Sequence, residues 1–187
     1  MTAPADITSR TPADSAVALA HIMSEHDTNL YGTVHGGVVM KLIDDAAAAA
    51  AGRHAAVPAV TVSVEEMTFL APVRAGDLLT VRAQVDHAGR TSMDVTVAVT
   101  AERWNLTGPV TRAATAHLVF VAVDADGQPH RVPALHPATP ADRRRQRQAR
   151  ARRHRRTTET RSQTGVPWGN AENGEPHGAP VGGSTDP

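Results

Sequence analysis

A chain of 187 residues is long enough for one domain with a substantial core, and two domains of ordinary size would be crowded into it. With 41% hydrophobic but only 3% aromatic residues, the core must be built from Val, Ala, Leu, Ile and Met. With no cysteine, a disulfide framework, a thiolate nucleophile and a cysteine metal site are all excluded. The formal net charge of zero hides an asymmetry, fourteen acids against nine bases in residues 1–140 and then nine arginines between Arg143 and Arg156, so a polyanion would meet the C-terminal segment first.

Residues 1–14 are polar and proline-containing and read as a disordered tail. No apolar run approaches about 18 residues, and the start lacks the charged and apolar halves of a secretory signal, so a soluble cytoplasmic protein off the membrane is expected. Residues 15–137 form the folded domain. A first strand is expected over 16–23, then a polar loop holding His26 to Asn29 and the glycines Gly32, Gly36 and Gly37. Residues 38–51, VVMKLIDDAAAAAA, combine strong helix formers with apolar positions Val39, Ile43, Ala46 and Ala50 at three- and four-residue spacing, with Gly52 as the stop signal.

Beyond Pro58 the period becomes two, with Val60, Val62 and Val64 alternating against Thr61 and Ser63. Strands are also expected over 78–86, 92–100 and 112–123, separated by turn-prone segments. One strand, one helix and four strands in meander order imply an α+β fold with a mostly antiparallel sheet covered on one face by the helix. Residues 138–158 have the composition of an exposed arginine-rich helix with almost no apolar face. Residues 159–187, rich in Gly, Pro and Asn, read as a second disordered tail.

Several chemistries lack their signatures. GTVHGGV at 32–38 is not followed by the Lys and Ser or Thr of a phosphate loop, and no G-x-S-x-G elbow is present. The ten histidines are scattered, without metal-ligand spacing, so no metal is expected. The arginine run has no interleaved aromatic residues for base stacking, and a nucleic-acid partner is not expected.

The informative stretch is 29–44. A carboxylate on an apolar helix packed against a sheet is costly to desolvate unless it faces a cleft or has a partner. Asp44 and Asp45 point about 100° apart, so they cannot share one environment, and both at the solvent edge is the bland alternative. Gly36 and Gly37 precede the helix, where unpaired N–H groups and the positive end of the dipole suit an anion or a polarised carbonyl oxygen; a simple close-packing turn explains the same glycines.

The pattern N-x-x-G-x-x-H-G-G-x-x-M-K-L-I-D at 29–44, together with VEEMTFLAPVRAGD at 64–77, GRTSMDVTV at 89–97 and VAVDADGQPHRVP ending at Pro133, resembles the hotdog-fold acyl-CoA thioesterases. The resemblance covers about 16–156. It implies a hotdog fold, an antiparallel sheet wrapped around one central helix, with a charged C-terminal helix added. It also implies hydrolysis of acyl-CoA with no cofactor. Carried over residue by residue, Asp44 is the catalytic carboxylate, as general base or as nucleophile. Asn29 positions water or substrate, the Gly36 N–H polarises the thioester carbonyl beside Gly37, and His35 orients the turn. Arg90, Thr91 and Ser92 lie where relatives approach the coenzyme. The resemblance further implies homodimers in which Asn29 and Asp44 meet across the interface, and a hexamer built as a trimer of dimers. Lysine is nearly absent, so arginines, Arg90 and the 143–156 run, would have to meet the coenzyme phosphates. The competing readings are a non-catalytic acyl-CoA sensor and a hotdog module whose arginine helix binds nucleic acid or an acidic partner.

Overall fold

The computed structural model describes residues 9–163 apart from residue 104, with side chains to residue 156. One compact unit ends at Arg152, and the chain from Arg153 belongs to a second, which is helical as far as Gln163. The first contains β1 (Ser9–Arg10), α1 (Pro12–Ser15), β2 (Val17–Ile22), a 3-10 turn (Glu25–Asp27), α2 (Gly36–Ala55), β3 (Ala59–Phe69), β4 (Leu78–Ala88), β5 (Ser92–Glu102), β6 (Thr111–Ala122) and β7 (Ala134–Leu135). Helix α3 (Pro140–Gln163) follows.

Five strands form an antiparallel sheet in the order β2-β4-β5-β6-β3. Period-two positions put Leu79, Val81, Ala83 and Val85 of β4 and Val95, Val97 and Val99 of β5 on the covered face, all but sealed from solvent. At about 1.5–3 kcal/mol for each fully buried valine or leucine, these two strands alone outweigh any single polar contact described below.

Helix α2 covers that face with Val39, Ile43, Ala46, Ala47, Ala50, Ala51, His54 and Ala55, the 3.6-residue stripe anticipated for it. Its alanines let the helix backbone approach the sheet closely. The largest buried side chains are Phe120 of β6, Met23 just after β2, Ile43 of α2, and Leu79 and Met93 of the strands. This is the expected hotdog arrangement.

The boundaries differ from expectation in four places. The helix begins two residues earlier, at Gly36, because His35 caps it. It does not stop at Gly52, which lies in its last turn; Ala56 ends it in the left-handed region at φ 59°, its N–H bonded to the Gly52 carbonyl 2.8 Å away. Residues 9–14, expected as part of the N-terminal tail, are not a bare tail. Strand β1 pairs in parallel with β7, and the buried Ser15 hydroxyl donates to the Pro12 carbonyl and accepts the Val85 N–H at 2.9 Å. These contacts are polar and mostly made to residues far along the chain, so they leave no hydrophobic period to read. The remainder of both expected tails, residues 1–8 and 164–187, lies outside the described residues.

The fourth difference concerns α3. Its first turn is closed by Thr139 and Asp142, each bonding the other's backbone N–H. Arg145 then forms ion pairs with Asp142 and with Asp86 of β4, Arg152 approaches Glu65 of β3, and Ala149 is fully buried. Up to Arg152 the helix therefore docks through charge pairs and one alanine instead of an apolar stripe. Among the described residues no helix is long and apolar enough to cross a membrane.

Candidate active site

The loop entering α2 is organised by Asn29. Its Oδ1 accepts the Tyr31 N–H at 2.8 Å and the Thr33 N–H at 3.3 Å, and its Nδ2 donates to the Thr33 hydroxyl at 3.0 Å. Thr28 and Val34 pair across the loop, and the His35 N–H donates to the Asp27 carbonyl at 2.7 Å. The chain therefore reaches α2 at a set angle. Gly32 has φ 73° at the turn, a conformation a side chain would strain.

His35 is the N-cap, and its Nδ1 accepts the Gly37 N–H at 2.9 Å. A nitrogen that accepts an N–H carries no proton, so in the neutral ring the hydrogen sits on Nε2. Val38 and Val39 direct their N–H groups to the His35 carbonyl. Of the two glycines named from sequence, Gly37 is thus committed to the cap. Gly36, at the first helical position, keeps an N–H with no partner inside the helix. It faces a cleft of about 360 Å³ lined by Thr33, Val39, Phe69, Pro72 and Val73. A Cβ on Gly36 would stand 3.5 Å from the Phe69 ring, an ordinary contact.

Asp44 and Asp45 separate as the 100° helical offset requires. Asp45 forms an i,i+4 ion pair with Lys41 at 2.6 Å and is 45% exposed. Asp44 is half-buried, and its Oδ1 accepts from the Thr61 hydroxyl at 2.7 Å. Thr61 lies on β3 at a bulge between Thr61 and Ser63, on the outermost strand of the sheet. In the sequence Thr61 stands only as the polar alternate of Val60 and Val62. Its partnership with Asp44 depends on how the edge strand crosses the helix, which no local signal encodes.

One chain gathers Asn29, His35, Gly36 and Gly37 at the helix entry but sets Asp44 and the Arg90–Ser92 turn apart from Gly36. Gly36 and Asp44 are eight residues apart on one helix, about 12 Å along its axis at 1.5 Å per residue. No thioester carbon reaches both. Arg90, Thr91 and Ser92 lie at the β4–β5 turn, where the Thr91 carbonyl accepts the Ala122 N–H and the Arg90 carbonyl accepts the Val132 N–H. Pro133, next in the chain, touches His54 in the last turn of α2, so this turn sits at the end of the 20-residue helix opposite Gly36.

Leu30, Tyr31, Met40, Val60, Val62 and Val64 all lie open on the loop, the helix and the edge strand around Asn29 and Asp44. An unpaired strand edge carrying apolar side chains is a pairing surface, and left bare it would aggregate. Among the described residues no group of three or more His, Asp or Glu side chains is placed to hold a metal.

A five-stranded antiparallel sheet covered on one face by a single central helix is the hotdog arrangement. Residues 31–106 match the family model of the thioesterase superfamily. The cytosolic acyl coenzyme A thioester hydrolase of Mus musculus is 34% identical over 138 residues, which is 70% of this chain and 35% of that protein. The chain thus spans about a third of the length of that mammalian relative. The acyl-CoA hydrolase of Staphylococcus aureus, solved in complex with butyryl coenzyme A and coenzyme A, superposes with a TM-score of 0.77 at 30% identity, covering 84% of this chain and 95% of that one. A hexameric acyl-CoA thioesterase superposes at 0.79 with 36% identity, covering 82% and 98%. The chain belongs to the acyl-CoA thioester hydrolases of the thioesterase superfamily.

Proposed function

We propose that the protein hydrolyses acyl-CoA to the free acid and coenzyme A, at sites completed by a second copy of itself. The observation that carries this reading is the 12 Å axial separation of Gly36 from Asp44, which a two-fold partner removes by laying its own Asp44 opposite the first chain's Asn29 loop and Gly36. The hexameric state named for one solved neighbour favours assembly of such dimers in threes. Structures of the staphylococcal hydrolase include variants with an aspartate, an asparagine or a threonine replaced by alanine. Those are the residue types that Asp44, Asn29 and Thr61 supply here. We place the protein in the cytoplasm, the compartment in the mouse relative's name.

The thioester carbonyl oxygen accepts the Gly36 N–H at the positive end of α2. Negative charge developing on that oxygen is met by a donor already aimed at it. Asp44, its Oδ1 occupied by Thr61, presents Oδ2. As general base it takes a proton from water, the hydroxide oxygen bonds to the carbonyl carbon, and the tetrahedral intermediate collapses by breaking the C–S bond. The coenzyme A thiolate leaves and takes up a proton, and the acid is released. As nucleophile, Asp44 Oδ2 would itself bond to the carbon, expel the thiolate and form an anhydride that water then cleaves. Either route consumes only water, so no cofactor is required. Asn29 retains an amide hydrogen beyond its loop bonds to orient the water or carbonyl.

The test mixes inactive subunits. Asp44→Ala and Asn29→Ala each release little thiol from acyl-CoA alone; dissociated and reassembled together, random pairing gives about a quarter of wild-type sites intact if each site draws one residue from each chain. Recovery near that level supports the shared site. No recovery rejects it, and no thiol release by the wild type across short and long acyl-CoAs rejects the enzyme.

A further inference from the structure

The loop commits the two ends of the Asn29 amide differently. Its Oδ1 accepts the Tyr31 N–H at 2.8 Å and the Thr33 N–H at 3.3 Å, and the Thr33 hydroxyl stands 3.3 Å from the same atom. Three donors therefore crowd one carbonyl oxygen, which has two lone pairs. Turning the amide over would set its NH2 group against two backbone N–H groups, so the chain fixes which end faces which way. At the other end, Thr33 Oγ1 accepts one Nδ2 hydrogen at 3.0 Å. One amide hydrogen is left over. Asn29 can thus donate to a further group but has no lone pair with which to accept from one.

Thr33 is itself held in place. Its carbonyl accepts the Asn29 N–H at 2.8 Å, and the next residue, the buried Val34, donates its N–H to the Val73 carbonyl at 2.8 Å. Branching at Cβ restricts the side chain to few rotamers, so a fixed backbone gives a fixed hydroxyl. Thr33 also lines the cleft that Gly36 lines, which puts its hydroxyl beside the proposed carbonyl site. We propose that Thr33 is a positioning residue for hydrolysis: its hydroxyl holds one Nδ2 hydrogen of Asn29 so that the other is presented as a fixed donor to the attacking water or the thioester carbonyl. This assignment rests on the role given to Asn29 in the proposed function. A water oriented through its oxygen in this way keeps its own hydrogens free for a carboxylate such as Asp44, so donor-only behaviour at Asn29 matches the general-base route. Without the Thr33 oxygen the amide keeps its backbone bonds at Oδ1 and loses the restraint at Nδ2.

The experiment is a double-mutant cycle in the full chain, with folding checked by thermal melting. Thr33→Val keeps the branched shape and removes the oxygen, Thr33→Ser keeps the oxygen, and each is made with Asn29 intact and with Asn29→Ala. Loss of one hydrogen bond predicts that Thr33→Val lowers kcat for thiol release from acyl-CoA about three- to tenfold with KM little changed. Thr33→Ser recovers most of that loss. Added to Asn29→Ala, Thr33→Val changes the residual rate by less than about twofold, because the amide it positions is gone. An equal loss in both backgrounds, or none with Asn29 intact, overturns the assignment. A second measurement needs no turnover: with isotope-labelled asparagine, the two Nδ2 hydrogens of Asn29, recognised by their disappearance in Asn29→Ala, are followed as they exchange with solvent. One exchanges severalfold more slowly than the other in the wild type and in Thr33→Ser, and the difference vanishes in Thr33→Val. Equal exchange of the two hydrogens in the wild type overturns the assignment even if Thr33→Val fails to fold. Absence of thiol release by the folded wild type would sink the hydrolase reading, and the exchange rates would still decide whether Thr33 fixes the amide.

Discussion

The hydroxyl of Thr61, on an edge strand, donates to Asp44 Oδ1 at 2.7 Å, so that in the proposed reaction Oδ2 is the oxygen left for chemistry. A hydrogen bond to a charged acceptor is worth about 1.5–3 kcal/mol, or on the order of ten- to a hundredfold in rate if it is needed in the transition state. Thr61→Val is therefore expected to lower kcat by that factor with KM little changed, and Thr61→Ser to restore most of it. An unchanged kcat in Thr61→Val would remove Thr61 from the site.

The two glycines before the helix should respond differently. A Cβ on Gly37 would meet His35 Nδ1 at 3.0 Å and force the cap apart, whereas one on Gly36 meets only the Phe69 ring at 3.5 Å. Gly37→Ala is expected to cost about 0.5–2 kcal/mol, the usual worth of an N-cap, in urea denaturation. Gly36→Ala should leave stability near wild type while reducing thiol release, because its side chain intrudes on the N–H face. Equal stability losses in both would contradict the assigned cap.

Acid should weaken the fold before the carboxylates titrate. Burial holds His54 below the ordinary histidine pKa, against the Pro133 carbonyl that accepts its Nε2–H. Burial, and then the nearby Arg152, do the same to His117. The unfolded chain binds protons at these rings near pH 6.5 while the folded chain resists, so stability is complete above about pH 6.5 and declines as pH falls below it. Urea midpoints measured from pH 7.5 to 5 should show this decline, and His54→Gln/His117→Gln should flatten it. A wild-type midpoint constant across that range would refute the assignment.

Asp86 is almost completely buried and depends on Arg145 and on Gln84, whose Nε2 donates to it at 2.7 Å. Removing one partner of a buried pair typically costs about 3–5 kcal/mol, while replacing both with apolar residues can be nearly neutral. Arg145→Ala should therefore lower the melting temperature markedly, and Asp86→Leu/Arg145→Met should recover much of the loss. Additive losses in the double variant would show that the pair does not couple α3 to the sheet.

Much of this architecture was legible locally. Period-two valines and the 3.6-residue stripe from Val39 to Ala50 are encoded in neighbouring residues, and they placed the helix and the five main strands within a few positions. The spacing also narrowed the carboxylates to two, because adjacent helical residues cannot share a face. Pattern alone leaves Asp44 and Asp45 open, and Asp44 is named only through the resemblance; the structure sets their surroundings apart by Lys41, four residues from Asp45, and Thr61, seventeen residues from Asp44. Helix α3 read as solvated because its partners, Asp86 and Glu65, lie on distant strands and its arginines resemble surface charge. Gly52 misled for a related reason: tertiary packing carries α2 past a residue whose intrinsic preference is to end it.

The alanines of α2 have a consequence beyond close approach. Alanine has no side-chain rotamers, so seating this helix freezes no side-chain torsions along the Ala46–Ala51 stretch. Asp44 stands at the head of that stretch, on a support with few soft torsions to reposition it. The orientation of the carboxylate is therefore governed almost entirely by its own two torsions and the Thr61 hydroxyl. At the fully buried Ala46, Ala47, Ala50 and Ala51, variation can run in only one direction: loss of a methyl leaves a small void, while each added carbon must displace the sheet.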